Sequence, residues 1–318
     1  MKKVLVTATN YDRLCVEGLQ LLKDYGCEVI LNGKGRMYTR EEMEAVVGDI
    51  NGIVAHCEDW DDELFDQAPN LQVIARFGVG YDSIDLEAAK RHGVHVTNCP
   101  GINANAVAEM TVSLMMALAR DIPRLNEATK SGTWARTIFS ELPGKRVGLL
   151  GFGAIAQKTI QKLKGLGVEI QVYNRSLHPE QARELGVHMT TDLDEVLGGS
   201  DYILVHLPVA LETRNMINAE NIAKMKDGVY LVNTARGALV NEKDVYDALV
   251  AGKIRGMATD VYAQEPADPE NPLFRLSNFI GTPHAAGETF ENYRETPLAK
   301  AKPLINVFEV RQPSNFLV

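Results

Sequence analysis

Three short stretches bring together residue types whose spacing has chemical consequences. In the first, VGLLGFGAIA (147–156), an apolar run ends in Gly151 and Gly153, and a helical pattern starts at Ala154. A glycine at 151 permits a tight turn. A glycine at 153 lets the backbone approach a pyrophosphate, held at the positive N-terminus of a helix whose first residues are Ala154 and Ile155. Ala156 takes the place of the third glycine of this fingerprint and is still small enough for the helix to pack closely on its strand. In the second stretch, VYNRS (172–176), another strand pattern ends about twenty residues further on, where an acidic residue ordinarily bonds the ribose hydroxyls and repels a 2′-phosphate. This chain offers Asn174, Arg175 and Ser176 there. Asparagine removes the repulsion, arginine adds a cation and serine adds a hydroxyl donor for phosphate oxygens. The segment therefore predicts NADP(H) in preference to NAD(H). The third stretch, RFGVGYDSID (76–85), has a glycine pair, Gly78 and Gly80, ahead of a short helix. It reads as backbone N–H groups presented to an anion such as a carboxylate.

Alternating strands and helices must position these loops. Strand patterns at 3–7, 28–31, 52–55, 73–76 and 95–97 alternate with helical patterns at 13–25, 39–47 and 84–92. Such alternation implies a parallel sheet with helices on both faces. Pro100 and Gly101 break the series, and a long Ala-, Met- and Leu-rich helix is expected from 104 to about 125, buried or between domains. Residues 131–145 read as a loop. From Arg146 a second series has strand patterns at 147–151, 169–173, 188–189, 202–206, 230–233, 256–259 and 278–281. The tail, 288–318, reads as a helix that Pro297 and Pro303 interrupt or kink.

The length of 318 residues suits two domains. A net charge of −9 with no block of like charges argues against nucleic-acid binding, although a local arginine can still bind a small anion. No signal peptide and no apolar stretch long enough for a bilayer is evident. Cys15, Cys27, Cys57 and Cys99 are scattered, which suggests buried free thiols in a reducing compartment and a cytoplasmic protein. The seven histidines show no metal-ligand spacing, so no metal is expected.

Three further segments follow in order: LVNTARGALVNEKDVYDAL (231–249), ATDVYAQEP (258–266) and TPHAAGET (282–289). With GFGAIA and RFGVGYDSID upstream, the chain resembles the D-isomer-specific 2-hydroxyacid dehydrogenase family over nearly its whole length. That family includes phosphoglycerate dehydrogenases and glyoxylate/hydroxypyruvate reductases. The resemblance implies an α/β fold of two doubly wound parallel-sheet domains with the active site in the cleft. A flavodoxin-like substrate domain would comprise 1–99 and 287–318, and a Rossmann dinucleotide-binding domain 100–286. It implies that Arg236 binds the substrate carboxylate and helps polarise the carbonyl, that Glu265 pairs with the catalytic histidine, and that His284 is the acid/base. It implies backbone donors to the carboxylate at Val79 and Gly80. Thr234 and Asp260 would line the cofactor near the nicotinamide. Leu207 and Pro208 complete the expected cofactor contacts. A homodimer is also expected.

The chemistry is consistent with these roles. Reduction of a 2-oxo acid needs a hydride on one face and a proton on the carbonyl oxygen, and a histidine titrates in the right range to give that proton. A neighbouring carboxylate orients the imidazole and favours its charged form. Arginine makes a planar two-pronged contact with a carboxylate that lysine imitates poorly. His206, at the end of the 202–206 strand pattern, reads as packed or cofactor-adjacent rather than as an acid. Trp134 and Arg136 lie in a loop whose facing is left open. The segment GIVAHC puts Ala55, His56 and Cys57 where related phosphoglycerate dehydrogenases carry a basic residue, which weakens the case for a phosphorylated substrate. The chain ending at Val318 is expected to lack an appended regulatory domain. The expectation is an NADP- or NAD-dependent reductase of small 2-oxo acids of the glyoxylate/hydroxypyruvate type. The alternatives are a D-3-phosphoglycerate dehydrogenase and a non-catalytic, NAD(H)-sensing binding protein like the family's corepressor branch.

Overall fold

Short runs of Val, Ile and Leu become the strands of two parallel sheets, and most of these side chains are fully buried because helices cover both faces. The computed structural model describes residues 1–134, 136–311 and 315–318, the side chains of 295–297 excepted. It divides into two units, Met1–Asn103 with Gly287–Val318, and Ala104–Ala286.

The smaller unit contains β1 (Lys3–Val6), β2 (Glu28–Leu31), β3 (Gly52–Ala55), β4 (Val73–Arg76) and β5 (His95–Thr97). Their order is β2-β1-β3-β4-β5, the flavodoxin-like order, with all pairings parallel. One face packs on Trp60, Leu64 and Phe65, and the other on Leu19 and Leu22 of the helix Val16–Asp24 and on Ala301 and Leu304. Gly52 shows how closely the last helix approaches: a Cβ there would lie 2.8 Å from Leu304 Cδ2. The chain end returns beside β5, where Val96 N donates to Val318 O at 3.0 Å and Leu317 N to Val96 O at 2.9 Å.

Of the interruption or kink expected in the C-terminal helix, no interruption occurs: one helix runs from Phe290 to Phe308. Pro297 and Pro303 have no N–H for the carbonyls of Tyr293 and Ala299. Two buried thiols approach those same acceptors. Cys15 Sγ lies 3.5 Å from Tyr293 O, and Cys99 Sγ lies 3.8 Å from Ala299 O. Weak sulfur donors thus replace the missing helical bonds, and all four cysteines are free.

The larger unit contains β6 (Arg146–Leu150), β7 (Glu169–Tyr173), β8 (His188–Thr190), β9 (Tyr202–Val205), β10 (Val229–Asn233), β11 (Ile254–Thr259) and β12 (Phe279–Gly281). The order is β12-β11-β10-β9-β6-β7-β8. Chain direction across the sheet reverses between β6 and β9, which creates a switch point at their carboxyl ends. The single helix expected from 104 to about 125 is instead two, Ala104–Arg120 and Ile122–Lys130, separated by Asp121 at φ +49°. In a continuous helix the ring of Pro123 would clash with the carbonyl of Ala119. The break places Pro123 in a first turn, where its missing N–H costs nothing. Residues 133–145 have no helix or strand among those described; Ala135 lies outside them. Trp134 is exposed, as is Arg136. Among the described residues no helix is long and apolar enough to cross a membrane.

Candidate active site

The switch point carries the glycine loop. Gly151 has φ +105°, and a Cβ there would lie 2.7 Å from the carbonyl oxygen of His206. Conformation and packing therefore both require glycine. Gly153 caps the helix Ala154–Leu163 with extended backbone, and no side chain bonds the first-turn amides. A Cβ at Gly153 would meet nothing within 4 Å, so the chain leaves the approach to the amides of Ala154 and Ile155 open. Ala156 is fully buried in the core beneath. Uncapped donors at a helix N-terminus behind an open glycine suit a diphosphate, and the residues present fit a dinucleotide. Leu207 is buried, while Pro208 is exposed and its carbonyl accepts from Thr213 Oγ1 at 2.7 Å.

The neighbouring His206 has both ring nitrogens buried without a hydrogen-bond partner among the described residues. Burial pushes its pKa down to about 4, so it is neutral near pH 7 and poorly suited to donate a proton. Beyond β7, Asn174 N bonds Thr190 O at 3.1 Å and its Nδ2 donates to Ser176 O at 2.8 Å. Ser176 Oγ lies 3.4 Å from His178 Nε2. Arg175 is exposed and makes no hydrogen bond or ion pair among the described residues.

Arg236, Glu265 and His284 all follow strand ends of the same sheet, after β10, β11 and β12 respectively. Asn233 builds the first turn: Ala235 N donates to its Oδ1 at 3.0 Å, and its Nδ2 donates to Arg236 O at 2.9 Å. Glu265 Oε1 accepts from Tyr262 N at 2.9 Å, and Oε2 lies 2.5 Å from His284 Nδ1. Burial works to raise the Glu265 pKa. The hydrogen bond and charge of His284, the Tyr262 N–H and the charge of Arg236 outweigh it and hold the carboxyl below its usual range. Glu265 is thus an anion near neutrality, its charge coupled to both partners. Nδ1 is the His284 ring nitrogen that faces Glu265.

The His284 loop is held from beneath by Asp260. The sequence reading places Asp260 beside the cofactor. In the structure Asp260 is 1 % exposed, and its carboxylate accepts from Thr282 Oγ1 (2.5 Å), Ala285 N (2.9 Å) and Ala286 N (2.8 Å). His284 itself has φ +52° and donates its N–H to Asp260 O at 2.8 Å. Asp260 therefore fixes a left-handed residue that costs about 1–3 kcal/mol to maintain. Thr234 Oγ1 is 2.7 Å from Thr111 Oγ1, a contact that ties β10 to the helix Ala104–Arg120. Val79 and Gly80 lie in the smaller unit, partly buried, just after β4. No group of three or more metal-binding side chains occurs among the described residues.

Comparison with known proteins agrees with this architecture. Residues 112–286 match the family model described as D-isomer specific 2-hydroxyacid dehydrogenase, NAD binding domain. A D-3-phosphoglycerate dehydrogenase of Methanocaldococcus jannaschii is 38% identical over 92% of this chain and 54% of that protein, so the chain spans about half its length. A glyoxylate reductase of Thermofilum pendens is 36% identical over 93% of this chain and 89% of that protein. Among solved structures, the TT0316 protein of Thermus thermophilus superposes with a TM-score of 0.89 at 32% identity, covering 99% of this chain and 100% of that one. The glycine loop at the switch point, the sheet order and these matches coincide in one chain, which belongs to the D-isomer specific 2-hydroxyacid dehydrogenase family.

Proposed function

We propose that the protein reduces small 2-oxo acids to D-2-hydroxy acids, with His284 as proton donor. The observation that carries this reading is the 2.5 Å contact between His284 Nδ1 and a Glu265 kept anionic. A bound nicotinamide dinucleotide supplies the hydride. Gly151, Gly153, Ala154 and Ile155 would hold its diphosphate, with Leu207, Pro208, Thr234 and Asp260 assigned to the same cofactor. Arg236 clamps the substrate carboxylate and draws charge from the carbonyl oxygen. Val79 and Gly80 supply amide donors to the carboxylate. His284 Nε2, the nitrogen turned away from Glu265, protonates the carbonyl oxygen, and Glu265 stabilises the imidazolium that must be present beforehand.

Glyoxylate and hydroxypyruvate are the favoured substrates, since 55–57 holds no lysine or arginine. Hydroxypyruvate is expected to yield D-glycerate, determined by chiral chromatography. Formation of L-glycerate, or no product, overturns the proposal. A homodimer is part of it: light scattering should give twice the chain mass, and a single-chain mass contradicts that part.

NADP(H) is the proposed cofactor form. Support comes from an exposed Arg175 without an ion pair among the described residues, beside an Asn174 that carries no charge. Arg175→Ala is expected to lower kcat/KM roughly tenfold for NADPH, as losing one charge-assisted contact would, and less than about twofold for NADH. Equal effects on both cofactors contradict the assignment.

Glu265→Gln tests the pair. The coupling is reciprocal: an imidazolium that lowers the Glu265 pKa is itself favoured by the carboxylate. Removing that charge lowers the histidine pKa. Reduction needs protonated His284, so the alkaline limb of kcat/KM should move to lower pH by about one unit or more. A pH-rate profile that coincides with wild type would remove Glu265 from its role.

A further inference from the structure

The carboxylate loop in the smaller unit is held by contacts that the proposed chemistry does not use. Phe77 N donates to Ala55 O at 2.7 Å. The buried Lys300 donates to Arg76 O. The Arg76 guanidinium reaches Ala55 O at 3.3 Å and Cys57 Sγ at 3.1 Å, and lies against Gly78, where a Cβ would sit 3.2 Å from its nitrogens. The start of the loop is therefore clamped. Further along, Ser83 O accepts from Trp60 N at 2.8 Å, and at the glycine pair itself Asn98, 6 % exposed and just past β5, donates its Nδ2 to Val79 O at 2.8 Å. By contrast, the N–H groups of Gly78, Val79 and Gly80 have no hydrogen-bond partner among the described residues.

We infer that Asn98 is a positioning residue for substrate binding: by holding the Val79 carbonyl, it directs the Gly80 N–H toward the substrate carboxylate. The inference rests on the reading that Val79 and Gly80 meet that carboxylate. The peptide joining them is trans, so its C=O and N–H point in opposite directions across one plane. With the carbonyl tied to Asn98, the Gly80 N–H must face the other way. Val79 O can only accept, so the Asn98 amide must present its nitrogen there. Glycine at 80 makes the tether necessary, because a residue free to adopt either sign of φ lets the peptide plane rotate cheaply. The rotated plane would turn a carbonyl oxygen toward an anion.

The test compares Asn98→Ala, Asn98→Asp and Gly80→Pro, using glyoxylate kinetics and the binding of oxamate, a substrate-shaped carboxylate that is not reduced. Asn98→Ala should raise KM about tenfold or more while kcat and the cofactor Kd stay within about threefold. Asn98→Asp adds a readout that a structural role alone would not move. Its ionised form repels the Val79 carbonyl, whereas its protonated form can donate to it. Burial raises a carboxyl pKa, so the oxamate Kd relative to wild type should recover as pH falls from about 8 to about 5. Gly80→Pro removes the N–H itself and should raise KM at least as much. The inference is overturned if Gly80→Pro raises KM and Asn98→Ala does not, or if the Asn98→Asp ratio is flat with pH. If Gly80→Pro leaves KM unchanged, the reading beneath it fails, and the inference with it. Should Asn98→Ala not fold, Asn98→Asp at low pH still decides.

Discussion

Replacing His284 with asparagine should lower kcat for 2-oxo acid reduction by about 10²–10⁴-fold, the usual contribution of a positioned acid. Asparagine suits the test because residue 284 has φ +52°, and asparagine is among the few side chains that tolerate left-handed backbone. The loop therefore keeps its conformation, with Asp260 still accepting from Thr282, Ala285 and Ala286. The imidazole is lost, and with it the titratable nitrogens and the contact of Nδ1 with Glu265. The cofactor Kd, measured by fluorescence titration, should stay within about threefold of wild type, because the glycine loop is untouched. His206 cannot substitute: burial holds it neutral, with a pKa of about 4. Retention of kcat within about tenfold would place the proton donor elsewhere.

Gly237→Ala should be nearly as damaging, by a steric route. A Cβ at Gly237 would lie 1.9 Å from Tyr262 C, 2.0 Å from Tyr262 O and 2.4 Å from Ala263 N. These are backbone atoms, and no rotamer change relieves the overlap. The segment that must move is the one whose Tyr262 N–H bonds Glu265 Oε1 and whose Ala263 N bonds Glu242 Oε1 at 2.8 Å. Moving it displaces Glu265 from His284. Overpacking of this kind costs about 1–3 kcal/mol, so thermal unfolding should fall by several degrees. The loss of alignment should reduce kcat/KM by about 10²-fold, as small misplacements of catalytic groups do. Wild-type kinetics with an unchanged melting temperature would show that the loop relaxes without moving the pair.

The sheets are legible in the sequence because their strands are short β-branched runs buried on both faces, and periodicity with turn residues locates them closely. Helix boundaries are less so. The apolar pattern of 104–125 hides the break at Asp121, which only the ring of Pro123 signals, and the C-terminal helix survives two prolines because Cys15 and Cys99 lie opposite the orphaned carbonyls. No local pattern reveals a partner nearly 280 residues distant in sequence, as Cys15 is from Tyr293. At the site, Gly151 and Gly153 announce a turn by type and spacing. The partnership of Arg236, Glu265 and His284 comes through resemblance, since their separations along the chain carry no period. Resemblance also assigns Asp260 to the cofactor; that its carboxylate holds the His284 loop is legible only in the structure. Asn98 and Gly237 escape the sequence reading, although a glycine directly after the motif arginine is a signal that backbone comes close there.

The most direct test of the central claim is the initial rate of reduced-cofactor oxidation by the wild-type protein, followed by absorbance, with glyoxylate and hydroxypyruvate and with NADPH and NADH side by side. The account predicts saturable turnover with both acids, faster with NADPH, and a rate that falls as alkaline pH deprotonates His284. Tight binding of a reduced cofactor with no turnover of any 2-oxo acid would contradict it and leave a protein that senses the dinucleotide without using it.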